Sequence, residues 1–197
     1  MSTDGALARL IRSSADRAVT SAAEVCELCA TRVSEEHRHL YDCSDDEVRC
    51  VCGPCSVLFA GDGEGRYRLV PRRRVRLPRV DTEVLGVPVG LVFFVPRADG
   101  TVTAQGPSPA GAMRWEVDAD AWQRLGAMCP PLRTVAPEVE ALLVNTVHGL
   151  DHHWIVPVDD CYRMVAVVRR EWRGLSGGGR VWRAVEAFFE GLTERSS

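Results

Sequence analysis

The longest apolar stretch of the chain runs from Val84 to Val95 and reads VLGVPVGLVFFV. It is shorter than the roughly 20 residues that a membrane-spanning helix needs, and it is rich in β-branched and aromatic residues. We therefore predict one buried strand here, with Pro88 at its start or on an edge. The Asp99-Gly100 pair is a turn signal, so residues 101–105 are predicted to return as the second strand of a hairpin.

Shorter apolar segments predict three more strands, over residues 113–117, 141–147 and 154–158. The segment from Gly106 to Gly111 contains two prolines and predicts a rigid loop before the first of these strands.

Apolar residues at helical spacing predict four helices. The first covers residues 5–25, and the second begins at an N-cap Asp118 and reaches Met128. Asp159 is predicted to cap the third helix, and Ser176 lies near the start of the last. Together with the strands, these helices predict an α+β domain with a mainly antiparallel sheet.

Six of the eight cysteines fall between residues 26 and 55. The outer ones form two CxxC pairs, Cys26 with Cys29 and Cys52 with Cys55, and 22 residues separate the pairs. Two such pairs at this separation are typical of one tetrahedral metal site, because each tight turn directs both sulfurs to one side. We therefore predict a structural Zn²⁺ site in a small zinc-ribbon or treble-clef-like module.

The ligand set has alternatives. Cys50 could take the place of Cys52, and His37 or His39 could replace one cysteine. An all-sulfur tetrahedral site also suits iron, as in rubredoxin-like redox proteins. Zinc is favoured because the glycine and aromatic neighbours of rubredoxin knuckles are missing around Cys26 and Cys29.

The net charge and the cysteine content limit which partners and which cellular compartment are expected. The net charge is −3, so no overall positive field attracts nucleic acid or anionic lipid. No secretory segment or membrane span is evident, and many cysteines without an export signal indicate a reducing cytoplasm and a metal site. A cytoplasmic protein is expected.

Residues 66–79 contain seven arginines and no acidic residue. This segment is interpreted as a solvated linker, with a basic strip for nucleic acid or an acidic protein face as the alternative. The predicted organisation is an N-terminal helix over 1–25, a zinc module over 26–60, an arginine-rich linker over 61–83 and an α+β domain over 84–197.

The order CxxC, HxH and CxxC resembles phage-type HNH endonucleases with a zinc-stapled ββα core. In that family the acidic-His-x-His stretch supplies a general base and a metal ligand, which would place these roles at His37 and His39. Ser56 stands where the family has an asparagine, so the resemblance implies incomplete nuclease chemistry. A nucleic-acid-binding protein or degenerate nuclease is the alternative function.

Nearly the whole chain resembles a family of bacterial proteins common in high-GC Gram-positive genomes and often encoded beside uptake nickel–iron hydrogenase genes. The matching segments include CELC, HRHL, CVCGPCSVLF, RYRLVPRR, GPSPAG, VPVDDCYRMVAVVR and VWRAVEAFFEGL. This resemblance implies a non-enzymatic, zinc-stabilised accessory protein. Its expected partner is a hydrogenase subunit or another maturation factor.

Overall fold

Antiparallel strands form two sheets in a computed structural model that describes residues 24–60, 65–174 and 177–195. The helix predicted over residues 5–25 lies almost wholly outside the described residues. The chain divides into two compact units, Met1–Leu69 and Val70–Ser197. Among the described residues, every helix is too short or too polar to cross a lipid bilayer.

The first unit is built on a three-stranded antiparallel sheet. Strands β1 (Arg38–Asp42), β2 (Glu47–Val51) and β3 (Tyr67–Leu69) lie in the order β2-β1-β3. A short helix, α1 (Gly53–Val57), follows β2 directly, and a proline in its first turn favours its start. Among the described residues, the core of this unit contains Cys26, Leu40 and Val51, and partly buried side chains pack against them, including Val33, Phe59, Tyr67 and Leu69.

The second unit contains a six-stranded sheet in which every neighbouring pair is antiparallel. Its order is β4-β9-β8-β5-β6-β7. The strands are β4 (Val75–Arg76), β5 (Leu91–Pro96), β6 (Val102–Ser108), β7 (Gly111–Val117), β8 (Glu140–Asn145) and β9 (His152–Pro157). The predicted α+β class with an antiparallel sheet is confirmed.

Helices cover both faces of this sheet. They are α2 (Ala119–Met128), α3 (Val158–Glu171) and α4 (Gly178–Glu194). Phe94 packs in a core with Leu125 of α2, whereas the ring of Phe93 contacts Tyr162 of α3, at 6.3 Å between ring centroids. Because consecutive side chains of a strand point to opposite faces, a strand covered on both sides is apolar at every position. This explains the run from Leu91 to Val95.

Three local predictions are wrong. Residues 83–85 form a 3₁₀ turn that ends at Gly86, whose φ of 69° breaks the expected strand, so β5 begins only at Leu91. The expected loop over 106–111 is a hairpin, with Ser108 paired to Gly111. Helix α3 begins one residue before Asp159, with Pro157 at the N-cap.

Other local predictions hold. Asp118 caps α2, since its side chain accepts a hydrogen bond from the backbone N–H of Asp120. The last helix begins after Gly177. Ser176, predicted near its start, is outside the described residues.

Two arginines of the arginine-rich segment bind buried carboxylates of the second unit. Arg73 donates two hydrogen bonds to the carboxylate of Glu140, at 2.9 and 2.6 Å, and Arg74 donates one to Asp160 at 2.6 Å. Both carboxylates are buried. The prediction of a solvated segment is therefore wrong at these arginines, because buried carboxylates need partners.

A further arginine of this segment stabilises the first unit. The guanidinium of Arg66 donates to both carboxylate oxygens of the fully buried Asp42, at 2.9 and 2.7 Å. These bonds hold the pKa of Asp42 well below its usual range. Asp42 is therefore ionised at the end of β1, where it binds Arg66, the residue that precedes β3.

Candidate metal centre

Two tight turns of the first unit carry the four predicted ligands. The first turn holds Cys26 and Cys29, and it closes with a 2.7 Å hydrogen bond from the backbone N–H of Cys26 to the carbonyl oxygen of Thr31. The second turn holds Cys52 and Cys55 at the start of α1. A backbone hydrogen bond of 2.9 Å from Glu27 to the carbonyl of Cys50 fixes the first turn against β2.

The four sulfurs meet at one point. The thiol sulfurs of Cys26, Cys29, Cys52 and Cys55 all lie within 4.8 Å of one another. The sulfurs of Cys29 and Cys52, 23 residues apart, are 3.7 Å from each other. A tetrahedral ion with metal–sulfur bonds of about 2.3 Å separates its sulfurs by about 3.8 Å. The cluster therefore has the spacing of a four-thiolate metal site, and these cysteines could bind a metal ion.

The acidities of these thiols show how protons compete with an ion. Burial raises the pKa of Cys26, but backbone hydrogen bonds from Cys52, Leu28 and Cys29 outweigh burial and lower it to about 6. Hydrogen bonding with the sulfurs of Cys52 and Cys29 raises the pKa of Cys55 to about 12. Without a cation, four crowded sulfurs cannot all lose their protons, because the thiolates would repel one another. A divalent cation would stabilise four thiolates and release the protons.

The alternative ligands form a second group. Side chains of His37, His39 and Cys50 place their ligand atoms within 4.8 Å of one another. The strand register explains this, because His39 of β1 is paired directly with Cys50 of β2. Cys52, and not Cys50, belongs to the four-sulfur cluster. From the sequence, these three residues were expected only as replacements for one of the four cysteine ligands. The HxH pattern could have indicated the second group, because residues i and i+2 of a strand lie on one face.

The nuclease interpretation requires groups on the helix after the second CxxC pair. Helix α1 has only five residues, and Ser56, at the position of the family's asparagine, is buried. Its hydroxyl donates to the carbonyl of Gly53 at 2.8 Å. Apart from Cys55, which belongs to the four-sulfur cluster, the described residues of α1 include neither a histidine nor a carboxylate for a hydrolytic metal.

The second unit contains a cavity of about 220 Å³ that the sequence did not indicate. Its walls are mainly apolar and include Leu91, Pro107, Val168, Trp172 and Trp182. Neither a charged side chain nor a metal ligand lines it among the described residues, so it contains no group for acid–base or metal chemistry.

Comparison with known proteins assigns the chain to a family whose function is unknown. The searches of curated proteins and of solved structures each find no match. A family of unknown function (DUF5947) matches residues 25–196, which include both units and all four clustered cysteines. The chain belongs to this family.

Proposed function

We propose that this protein is a non-enzymatic accessory factor whose first unit is held by a structural Zn²⁺ ion and binds a protein partner. The observation that carries the proposal is the four-sulfur cluster together with the exposed apolar residues that flank it in sequence. The resemblance to proteins encoded beside uptake hydrogenase genes suggests the context, which is maturation of a nickel–iron hydrogenase.

Zinc is proposed because four thiolates at tetrahedral spacing leave no open position, as in structural zinc sites. Ion binding would supply much of the folding free energy of this unit, as it does in other small metal-binding modules. A rubredoxin-like iron site would use the same sulfurs, and it would make the purified protein coloured.

The apolar surface flanks the cluster in sequence on both sides. Val57 and Leu58 follow Cys55, and their side chains are 71% and 77% exposed. Val25 and Leu28 flank Cys26 and are also exposed. Single exposed apolar residues are common, but four within three residues of one cluster are typical of a protein-binding surface.

Three arginines of the basic segment are already in ion pairs, which argues against nucleic acid as the partner. Arg66, Arg73 and Arg74 already bind carboxylates, so each would have to give up an ion pair to bind a phosphate. DNA and RNA titrations at two salt concentrations test this alternative. Binding through phosphates must weaken steeply with salt, and strong salt-sensitive binding would favour nucleic acid over protein.

The metal is tested first. The purified full chain should be colourless and contain zinc, and Cys26→Ser or Cys55→Ser should lose the ion from this cluster and unfold the first unit. Full metal content in both variants would overturn the four-cysteine assignment.

The partner is tested with purified hydrogenase subunits and maturation factors of the host. Leu58→Asp should abolish binding, because a charge would be buried against the partner. Met128→Asp is the matched control, since Met128 is an exposed apolar residue of the second unit, at 63%. Gene deletion should reduce hydrogen uptake, and unchanged hydrogenase maturation in the deletion strain would refute the hydrogenase context.

A further inference from the structure

The β1–β2 hairpin carries a second set of metal-binding groups that shares no residue with the four-sulfur cluster. His39 and Cys50 are directly paired across the hairpin, so their side chains stand on the same face. His37 precedes His39 by two residues and contacts it, with 4.6 Å between ring centroids. The three ligand atoms lie within 4.8 Å of one another.

The hydrogen bonds of His37 provide independent evidence for a ligand. Its Nδ1–H donates to the carbonyl oxygen of Ser34 at 2.8 Å, and the carboxylate of Glu24 lies 3.4 Å from the same nitrogen. In the neutral ring this arrangement places the proton on Nδ1, and the lone pair is then on Nε2. Carbonyl or carboxylate groups bound to the distal nitrogen are the usual support of a metal-ligating histidine.

The remaining nitrogen of His37 has no partner among the described residues. Its Nε2 is buried and makes no hydrogen bond, and the side chain is only 6% exposed. A buried polar atom without a partner destabilises a fold, because its lost contacts with water are not replaced. A metal ion between Nε2 and its two neighbours would satisfy this atom.

We infer that His37 Nε2, a ring nitrogen of His39 and the thiolate of Cys50 form a second transition-metal site, which takes Zn²⁺. Two imidazoles and one thiolate favour zinc and similar borderline ions over Mg²⁺ or Ca²⁺, which prefer oxygen. On binding, the thiol of Cys50 gives its proton to solvent and a sulfur–metal bond forms. Three protein ligands leave one tetrahedral position for water or an added anion, unlike the closed four-sulfur site.

The stoichiometry of the full chain tests this inference. Protein stripped with a chelator, refolded with Zn²⁺ and freed of excess ion should contain two zinc ions per chain. His37→Asn should contain one, because the amide of asparagine can keep the bond to Ser34 while Nε2 is removed. Cys43→Ser, on the same hairpin, should keep two. The ion retained in His37→Asn also reports that the first unit is still folded.

Co²⁺ substitution identifies the ligands of each ion. One cobalt ion should show sulfur-to-metal charge transfer from four thiolates, and the other should show one quarter of that intensity. The visible bands of the cobalt ion bound by His37, His39 and Cys50 should lie at higher energy than those of the four-thiolate ion, because imidazole is a stronger-field ligand than thiolate. Cys50→Ser should remove only the weaker charge-transfer signal.

The outcomes separate this inference from the proposed function. One zinc ion that is lost in Cys55→Ser and kept in His37→Asn would overturn the second site and leave the structural site intact. One zinc ion that is kept in Cys55→Ser and lost in His37→Asn would support the second site and overturn the four-cysteine assignment. No bound zinc in the wild-type chain would overturn both.

Discussion

The ion pair between Arg74 and Asp160 provides a sharp test of the view that the arginine-rich segment is structural. Asp160 is fully buried at the start of α3, and the side chain of Arg74 is 14% exposed. Arg74→Met keeps the apolar length of the side chain and removes the charge. The carboxylate of Asp160 is then left inside the second unit without its shortest hydrogen bond.

The expected magnitude follows from burial and from the remaining partner. Removing one member of a buried ion pair costs about 3–5 kcal/mol. Arg163 also reaches Asp160, at 3.2 Å, but its side chain is 57% exposed. It therefore offsets only part of the loss, and we expect about 3 kcal/mol. For a unit of this size, that lowers the unfolding midpoint by roughly 10 °C.

Tryptophan fluorescence is the assay, because all five tryptophans lie between residues 115 and 182 and report on the second unit alone. Arg72→Met is the matched control, since Arg72 is exposed and its side chain has no ion pair among the described residues; it should change stability by about 0.5 kcal/mol or less. Asp160→Asn combined with Arg74→Met should cost less than the sum of the single changes. Equal stability of Arg74→Met and Arg72→Met would refute the structural role.

Three further predictions concern the second unit. Phe94→Ala should destabilise it by about 3–5 kcal/mol in urea unfolding, because Phe94 is fully buried in the main core; a loss below 1 kcal/mol would contradict that packing. Gly177→Ala should destabilise it by about 1–2 kcal/mol, since φ is +79° and the added Cβ would lie 2.9 Å from Val181 Cγ1. Gly179→Ala, where the nearest atom is 3.8 Å away, should instead be neutral or stabilising. Burial lowers the pKa of His153, so as the pH falls the unfolded chain protonates this histidine before the folded unit does. Thermal stability should therefore fall as the pH drops from 7 to 5, and His153→Gln should reduce this dependence; an equal pH dependence in the variant would contradict it.

Local patterns predicted the elements whose neighbours along the chain determine them. The N-cap Asp118, the apolar face of α4 and the strands around residues 113–117 and 141–147 follow from spacing and capping, which act within a few residues. The metal cluster was predictable for the same reason, because each CxxC pair is one tight turn. Predictions failed where one backbone angle decided the outcome, as at Gly86.

The sequence by itself therefore determined the α+β class, the order of most strands and helices, and the two CxxC turns as candidate metal ligands. Only the tertiary structure decided the role of the arginines, because Arg73 and Arg74 meet their carboxylates across 67 and 86 residues of chain. It also separated Cys50 from Cys52 and joined Cys50 to the two histidines, since strand register determines which side chains face each other. Contacts between residues distant in sequence depend on how elements pack, and no local pattern of hydrophobic and polar residues records that.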